Sequence, residues 1–200
     1  MTTPEPQNVT AVILAGGQGK RCQGNDKGLL LFHQRPVIET ILESIAPQVS
    51  QLLINANRNT EIYARYGYPV IQDDIPGYQG PLAGFATALA HATTPCVLIL
   101  PCDGPFVPTD YLPRMCQAIE QQQTELAVAH DGTRLQPVHA LIRVSLLESL
   151  NTYLHSGERK IDRWYARHQV VQVDFSDRPE LFLNINTAEQ LTTLEAVDHA

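Results

Sequence analysis

The chain has 200 residues, of which 44% are hydrophobic and 18% charged, with a formal net charge of −7. That balance can bury a substantial core and excludes bulk disorder, and the acidic net charge excludes a general nucleic-acid binder, whose surface would be basic. No apolar run approaches the roughly 20 residues of a membrane span, and the opening MTTPEPQNVT lacks the charged and apolar regions of a secretory signal.

Two hundred residues suit one ordinary domain, and one domain over residues 1–200 is expected, behind a flexible polar leader over residues 1–8. VTAVILA (residues 9–15) reads as a buried strand, and PVIETILESIA (36–46) as an amphipathic helix opened by Pro36, with Val37, Ile41 and Ile45 on one face. QLLINAN (51–57) is a second short strand. A helical piece around TEIYARYG ends at Gly67, a third strand begins at Pro69, and DDIPGYQG is loop. PLAGFATALAHA (81–92) reads as a helix with Pro81 at its favoured first position, and CVLILP (96–101) as a central strand covered on both faces.

A helix follows over residues 111–122, then a strand in ELAVAH (125–130). In the last third QPVHALIR (136–143), VVQVDF (170–175) and LFLNIN (181–186) read as strands. LLESLNTYLHSG and IDRWYARH read as helices, and Thr187 caps a closing helix. The alternation predicts an α/β fold: a three-layer sandwich around a mostly parallel, Rossmann-like sheet. Cys22, Cys96, Cys102 and Cys116 form no Cys-x-x-Cys pair. Zinc and a disulfide framework are therefore disfavoured, and a reduced, cytoplasmic compartment is expected.

The chemistry concentrates in AVILAGGQGKRCQGNDKGLLL, residues 11–31. Gly19 and Gly24 have the glycine spacing of a P-loop, but Asn25 and Asp26 stand where Lys and Ser/Thr are needed. Gly17-x-Gly19 begins a dinucleotide fingerprint, but Cys22 occupies the third glycine position. The physics survives both mismatches. Gly16, Gly17 and Gly19 at a strand end can turn backbone N–H groups toward an anion, and Arg21 and Lys27 can neutralise phosphate oxygens. The same stretch can also be read as a tight strand-to-helix turn with solvated basic residues.

Asp103 follows CVLILPC at the carboxyl end of the expected central strand, the edge where open α/β sheets bind ligands. A carboxylate there suits Mg²⁺, which takes one or two carboxylates plus phosphate oxygens and water. An Asx-turn or helix cap is the structural alternative. Asn55 and Asp73 end two further expected strands, and a carboxylate facing a ring N–H and an amino group would suit guanine.

Together LAGGQGKR…DKGLL, INANR (54–58), VIQDD (70–74), GPLAG (80–84), PCDGPF (101–106) and FLNINT (182–187) resemble the molybdenum cofactor guanylyltransferases. These belong to a wider nucleotidyltransferase group, and the resemblance runs from about residue 10 to about residue 194. It implies that Leu14, Ala15, Gly16 and Gly17 line a GTP site, that Lys27 contacts the phosphates, and that Asn55 and Asp73 address the guanosine end. It also implies that Asp103 contacts GTP and holds Mg²⁺, with Asn184 and Asn186 near the acceptor or metal. Two positions depart from the family pattern: Gln23 replaces a glycine of the loop, and Gly104 is expected to loosen the turn after Asp103.

The implied reaction is attack of the terminal phosphate of molybdenum-molybdopterin on the α-phosphorus of GTP, with release of pyrophosphate. The nucleophile is already an anion, so positioning and charge neutralisation by Arg21, Lys27 and Asp103 should dominate. No general base is required. The histidines are therefore expected to be structural or solvated, although His130 and His139, like Arg134, Arg159 and Lys160, are candidate acceptor contacts. The family further implies contact with cofactor-biosynthesis proteins and apo-molybdoenzymes. Rival expectations are a molybdopterin cytidylyltransferase or sugar-1-phosphate nucleotidyltransferase of the same fold, a nucleotide-binding module without chemistry, and, disfavoured by the missing glycine, an NAD-dependent oxidoreductase.

Overall fold

The structure, a computed structural model, describes residues 4–17, 26–77 and 79–185. The chain opens with β1 (Val9–Leu14), then a short antiparallel ribbon of β2 (Leu31–Phe32) and β3 (Arg35–Pro36) that leads into α1 (Val37–Ile45). It continues through β4 (Gln51–Asn55), α2 (Thr60–Ala64), β5 (Val70–Ile71), α3 (Pro81–His91), β6 (Cys96–Pro101) and α4 (Tyr111–Gln122). The last part holds β7 (Leu126–His130), β8 (Leu135–Arg143), α5 (Leu147–His155), α6 (Ile161–Tyr165) and β9 (Val170–Asp174).

Among the described residues seven strands form one sheet in the order β5-β4-β1-β6-β8-β7-β9. β8 is antiparallel to both neighbours and every other pairing is parallel, so the sheet is mostly parallel, as expected. The strand sequence runs outward from β1 through β4 to β5, then returns to the other side of β1 with β6. The switch point of the topology therefore lies at β1, and the ligand crevice of such a sheet opens above the carboxyl ends there.

Side-chain alternation along the strands feeds a core on each face. Ala11, Ile13, Leu98, Leu100 and Leu141 pack beneath α1 and α4, in a cluster that includes Ile38, Ile41, Tyr111 and Met115. Val12, Val97, Ile99, Ala140 and Ile142 pack on the opposite face with Leu82, Phe85 and Leu89 of α3, Leu150 of α5 and Trp164 of α6. Residues 82–89 of α3 are all buried, the pattern of a helix enclosed by sheet and neighbouring helix rather than lying at the surface.

Three local expectations change. The leader expected to be flexible is tied down from residue 4: Pro4 is buried, and Pro6–Asn8 form a 3₁₀ turn that packs against α4. Pro36 does not open α1; it pairs with Leu31 in the ribbon and the helix begins one residue later. The described part of LFLNIN, residues 181–185, is not a strand. Pro179–Phe182 form a 3₁₀ turn, and burial falls on Leu181 and Ile185 while Leu183 is exposed, a spacing of four rather than two. The segment crosses the carboxyl edge of the sheet, and the Ile185 N–H donates to the Asp103 carbonyl at 2.8 Å. The closing helix expected after Thr187 lies outside the described residues.

Candidate active site

The ends of four strands are level. Leu14 pairs with Asn55 on one side and Pro101 on the other, and Asn55 pairs with Ile71. Backbone bonds extend this row by one residue: Ala15 N–H donates to the Asn55 carbonyl at 2.8 Å and Cys102 N–H to the Leu14 carbonyl at 3.2 Å. The chain segments that leave these ends must then diverge over one edge. They enclose a cavity of about 570 Å³ lined by Leu14, Ala15, Gly16, Gly17, Lys27, Asn55, Asp73 and Asp103, all eight positions singled out there from the sequence. Asp26, Arg58, Gly80, Pro81, Gly84, Cys102 and Val138 also line it, and none of these had been named as a site residue. Arg21 and Asn186 lie outside the described residues.

On one side of the cavity the Lys27 ammonium donates to Asp103 Oδ2 at 2.8 Å, with both side chains largely withdrawn from solvent. The pair forms because the segment after the glycine loop is pressed against the end of β6. Lys27–Leu29 make a 3₁₀ turn, and a side chain at Gly28 would lie 2.8 Å from the Tyr63 hydroxyl and 3.2 Å from Cys102 Cβ, so only glycine permits this approach. Asp26, one residue before Lys27, is buried; it accepts from Tyr63 Oη at 2.5 Å and from Asn59 Nδ2 at 3.2 Å, and Arg58 Nε lies 3.7 Å away.

The anchor has an electrostatic signature. Burial, with the negative potential of its neighbours, keeps the Tyr63 hydroxyl far above the ordinary phenol range, so it stays a donor to Asp26. Replacing Tyr63 with phenylalanine is expected to destabilise the fold by about 2 kcal/mol, the effect of leaving a buried carboxylate short of a donor. Urea unfolding checks this. A loss below about 0.5 kcal/mol would mean that the hydroxyl does not hold the segment.

On the other side Asn55 Nδ2 donates to Asp73 Oδ1 at 3.0 Å and Asn57 Nδ2 to Asp73 Oδ2 at 2.8 Å. Each oxygen thus takes one neutral amide donor and keeps accepting capacity for a ligand. One side of the cavity thus sets Lys27 and Arg58 against Asp103 and Asp26, and the other offers the Asp73 oxygens as acceptors.

The other candidates lie elsewhere or are already engaged. Asn184 does not line the cavity among the described residues; its Oδ1 sits 3.5 Å from where a Gly104 side chain would begin, behind Asp103. Gly104 itself is buried against the carbonyls of Leu181 and Leu183, so the turn expected to be loosened is packed. His139 faces the α4 side of the sheet, edge-on to Tyr111 and Phe182, and burial pushes its pKa down to about 3. His130 accepts through Nδ1 from the Gly132 N–H at 3.0 Å. Arg159 donates to Gln79 Oε1 at 2.9 Å and to the Leu154 and Glu158 carbonyls, tying the α5–α6 link to the loop before α3. Arg134 is exposed beside Asp131.

A divalent cation can be tested against this donor set. Among the described residues no group of three or more His, Cys, Asp or Glu side chains converges. Asp26 is committed to Tyr63 and Asn59, and Asp73 takes Asn55 and Asn57 on the other side of the cavity, which leaves Asp103 as the carboxylate beside Lys27 at the end of β6. This donor set among the described residues fits Mg²⁺ that arrives with phosphate oxygens and its own waters.

Strand order and switch-point crevice are those of an open α/β sheet that binds its ligand at the carboxyl edge, and the loop after β1 carries neither the P-loop nor the dinucleotide glycine fingerprint. Comparison with known proteins narrows that class. The chain belongs to the MobA-like NTP transferase family, whose domain description matches residues 11–172. A molybdenum cofactor guanylyltransferase of Shewanella loihica is 50% identical over 192 residues, covering 96% of this chain and 98% of that one. One of Shewanella halifaxensis is 50% identical over 182 residues, 91% of each chain. Among solved structures, molybdopterin-guanine dinucleotide biosynthesis protein A of Archaeoglobus fulgidus shares the fold with a TM-score of 0.79 at 24% identity, covering 95% of this chain and 98% of that one. The 2-C-methyl-D-erythritol 4-phosphate cytidylyltransferase of Thermus thermophilus shares it with a TM-score of 0.69 at 18% identity, covering 94% and 98%.

Proposed function

We propose that this nucleotidyltransferase transfers GMP from GTP to the terminal phosphate of molybdenum-molybdopterin, giving a pterin guanine dinucleotide and pyrophosphate. An oxygen of the acceptor phosphate forms a bond to the α-phosphorus, the bond from that phosphorus to the bridging β-phosphate oxygen breaks, and pyrophosphate leaves with the electron pair. The observation that carries the reading is the convergence of Gly16 and Gly17, Lys27, Asp103 and the Asn55–Asp73 pair on one cavity.

The residues divide the work. Gly16 and Gly17, just beyond the end of β1, present backbone to the triphosphate without side-chain obstruction, and Lys27 supplies a point charge to its oxygens. Arg58, at the same end of the cavity, adds a second cation, and Arg21 is assigned the same role from its place in the loop. Asp103 would hold Mg²⁺, which when bound neutralises phosphate charge and orients the leaving group. Asp73 and Asn55 face the guanine. Asn184 and Asn186 are assigned to the acceptor side. No group in the cavity needs to move a proton, since the attacking oxygen is ionised at neutral pH.

The setting is a reduced, cytoplasmic one, in which the free thiols of Cys96, Cys102 and Cys116 stay buried. The product would pass to cofactor-biosynthesis proteins or to apo-molybdoenzymes. No described helix is long and apolar enough to cross a membrane. The test is Mg²⁺-dependent pyrophosphate release with the pterin acceptor and GTP, CTP or UTP in turn. GTP is expected to be preferred by at least about 100-fold in kcat/KM. Preference for CTP or UTP would overturn the guanylyl assignment while leaving the nucleotidyltransferase fold untouched.

A further inference from the structure

Asn57 is held on three sides. Its Nδ2 donates to Asp73 Oδ2 at 2.8 Å and lies 3.4 Å from the Gly16 carbonyl, and its Oδ1 accepts from the Asp73 backbone N–H at 2.8 Å. These contacts fix the orientation of the amide, because the reverse flip would set Oδ1 against a carboxylate and Nδ2 against an N–H. The side chain also fills the space beside Gly16: a Cβ there would lie 2.9 Å from Asn57 Nδ2. One asparagine thus joins the glycine turn, the end of β4 and the loop that carries Asp73.

We propose that Asn57 is the positioning residue for base selection, setting the plane and direction of the Asp73 carboxylate so that its two oxygens meet two adjacent N–H donors. This rests on the reading that Asp73 addresses the base. Asn55 alone cannot set the plane. It is buried in register within the sheet and donates to Oδ1 only, so the carboxylate could still turn about its Cβ–Cγ bond. The second donor, on Oδ2, removes that freedom. Both donors are neutral amides, so the carboxylate is oriented without a cation that would compete with a ligand for its lone pairs.

Among the common bases guanine presents a ring N–H beside an amino group on one edge. Adenine and cytosine set the amino group beside a ring acceptor, and uracil sets its N–H between two carbonyls. A fixed pair of acceptors therefore selects guanine and repels the others, and hypoxanthine, which lacks the amino group, keeps only half of the match.

The test compares GTP and ITP binding, measured calorimetrically with Mg²⁺, in the wild-type chain, Asn57→Asp and Asp73→Ala. Asn57→Asp preserves volume and the acceptor for the Asp73 N–H but sets a second negative charge against Oδ2. GTP is expected to bind the wild type at least about tenfold more tightly than ITP, a ratio set by one hydrogen bond to a charged acceptor. In Asn57→Asp the ratio is expected to fall to within about threefold, by weakening GTP more than ITP. The ratio is internal to each preparation and does not move with a general loss of folded protein; Asn57→Ala read the same way replaces the aspartate variant if that fails to fold. A wild-type ratio in both Asn57 variants, together with a collapsed ratio in Asp73→Ala, overturns the role of Asn57 and leaves the base reading standing. A ratio unmoved in Asp73→Ala as well overturns both.

Discussion

Asp103→Ala is expected to lower Mg²⁺-dependent pyrophosphate release from GTP by on the order of 10³-fold while the protein stays folded. The size follows from the chemistry. In the proposed reaction the nucleophile and the triphosphate are both anions, and little of the barrier is covalent, so removing the group assigned to hold the counter-cation would remove a principal source of transition-state stabilisation. The small effect on folding follows from the environment. Lys27 remains about a quarter exposed, so its ammonium can be hydrated once its partner is gone, and a partly exposed ion pair contributes about 1 kcal/mol or less. Asp103→Asn keeps the shape and loses only charge, and is expected to be nearly as inactive. Turnover by stopped pyrophosphate assay and the thermal midpoint separate the two effects. Activity within about tenfold of wild type in the alanine variant would remove Asp103 from the reaction.

His139→Phe is expected to make the protein more resistant to acid. In the fold, burial among Tyr111 and Phe182 pushes the imidazole pKa down to about 3, whereas in the unfolded chain it titrates near its ordinary value of 6.5. Between those values the unfolded state binds a proton that the folded state refuses. Stability from this residue is complete above about pH 6.5 and falls by about 1.4 kcal/mol for each pH unit below it, until the folded imidazole itself titrates. At pH 5 the deficit is about 2 kcal/mol. Phenylalanine fits a slot whose walls are aromatic edges, and it removes the proton linkage together with Nδ1, which is buried without a hydrogen-bond partner among the described residues. Urea midpoints at pH 7.5 and pH 5 report the difference. Equal pH dependence in wild type and variant would show that the acid lability arises elsewhere, and activity at neutral pH tests whether this histidine touches the acceptor.

Much of the cavity was legible because each parallel strand announces its own end. VTAVILA, QLLINAN and CVLILP stop being apolar where the chain leaves the core, and a parallel sheet brings all those ends to one edge. Asn55 and Asp103 needed no more than that, whereas Leu14 came from the family resemblance. Arg58 and Asn57 stood in the quoted INANR but had no role, since they follow the strand end and their direction depends on the path of a loop. Asp26 was read only as a mismatch to a P-loop. Its burial depends on Tyr63 and Asn59, more than 30 positions away, and no local pattern encodes that contact. The strand expected in LFLNIN failed for a related reason. Alternation there matched period two, yet the segment crosses the edge of the sheet: the Leu181 and Leu183 N–H groups donate within the segment's own turn, and that of Ile185 donates to the Asp103 carbonyl.

Composition and the rhythm of apolar runs determined by themselves the α/β class and the strand ends that meet at one edge of the sheet, because burial periodicity and strand ends are local properties of the chain. The tertiary structure alone decided the strand order that puts β1 between β4 and β6, the Lys27–Asp103 contact across 76 positions, and the two-sided grip on Asp73. Those depend on which side chains meet after the core has closed, and hydrogen bonds between distant residues leave no period in the sequence.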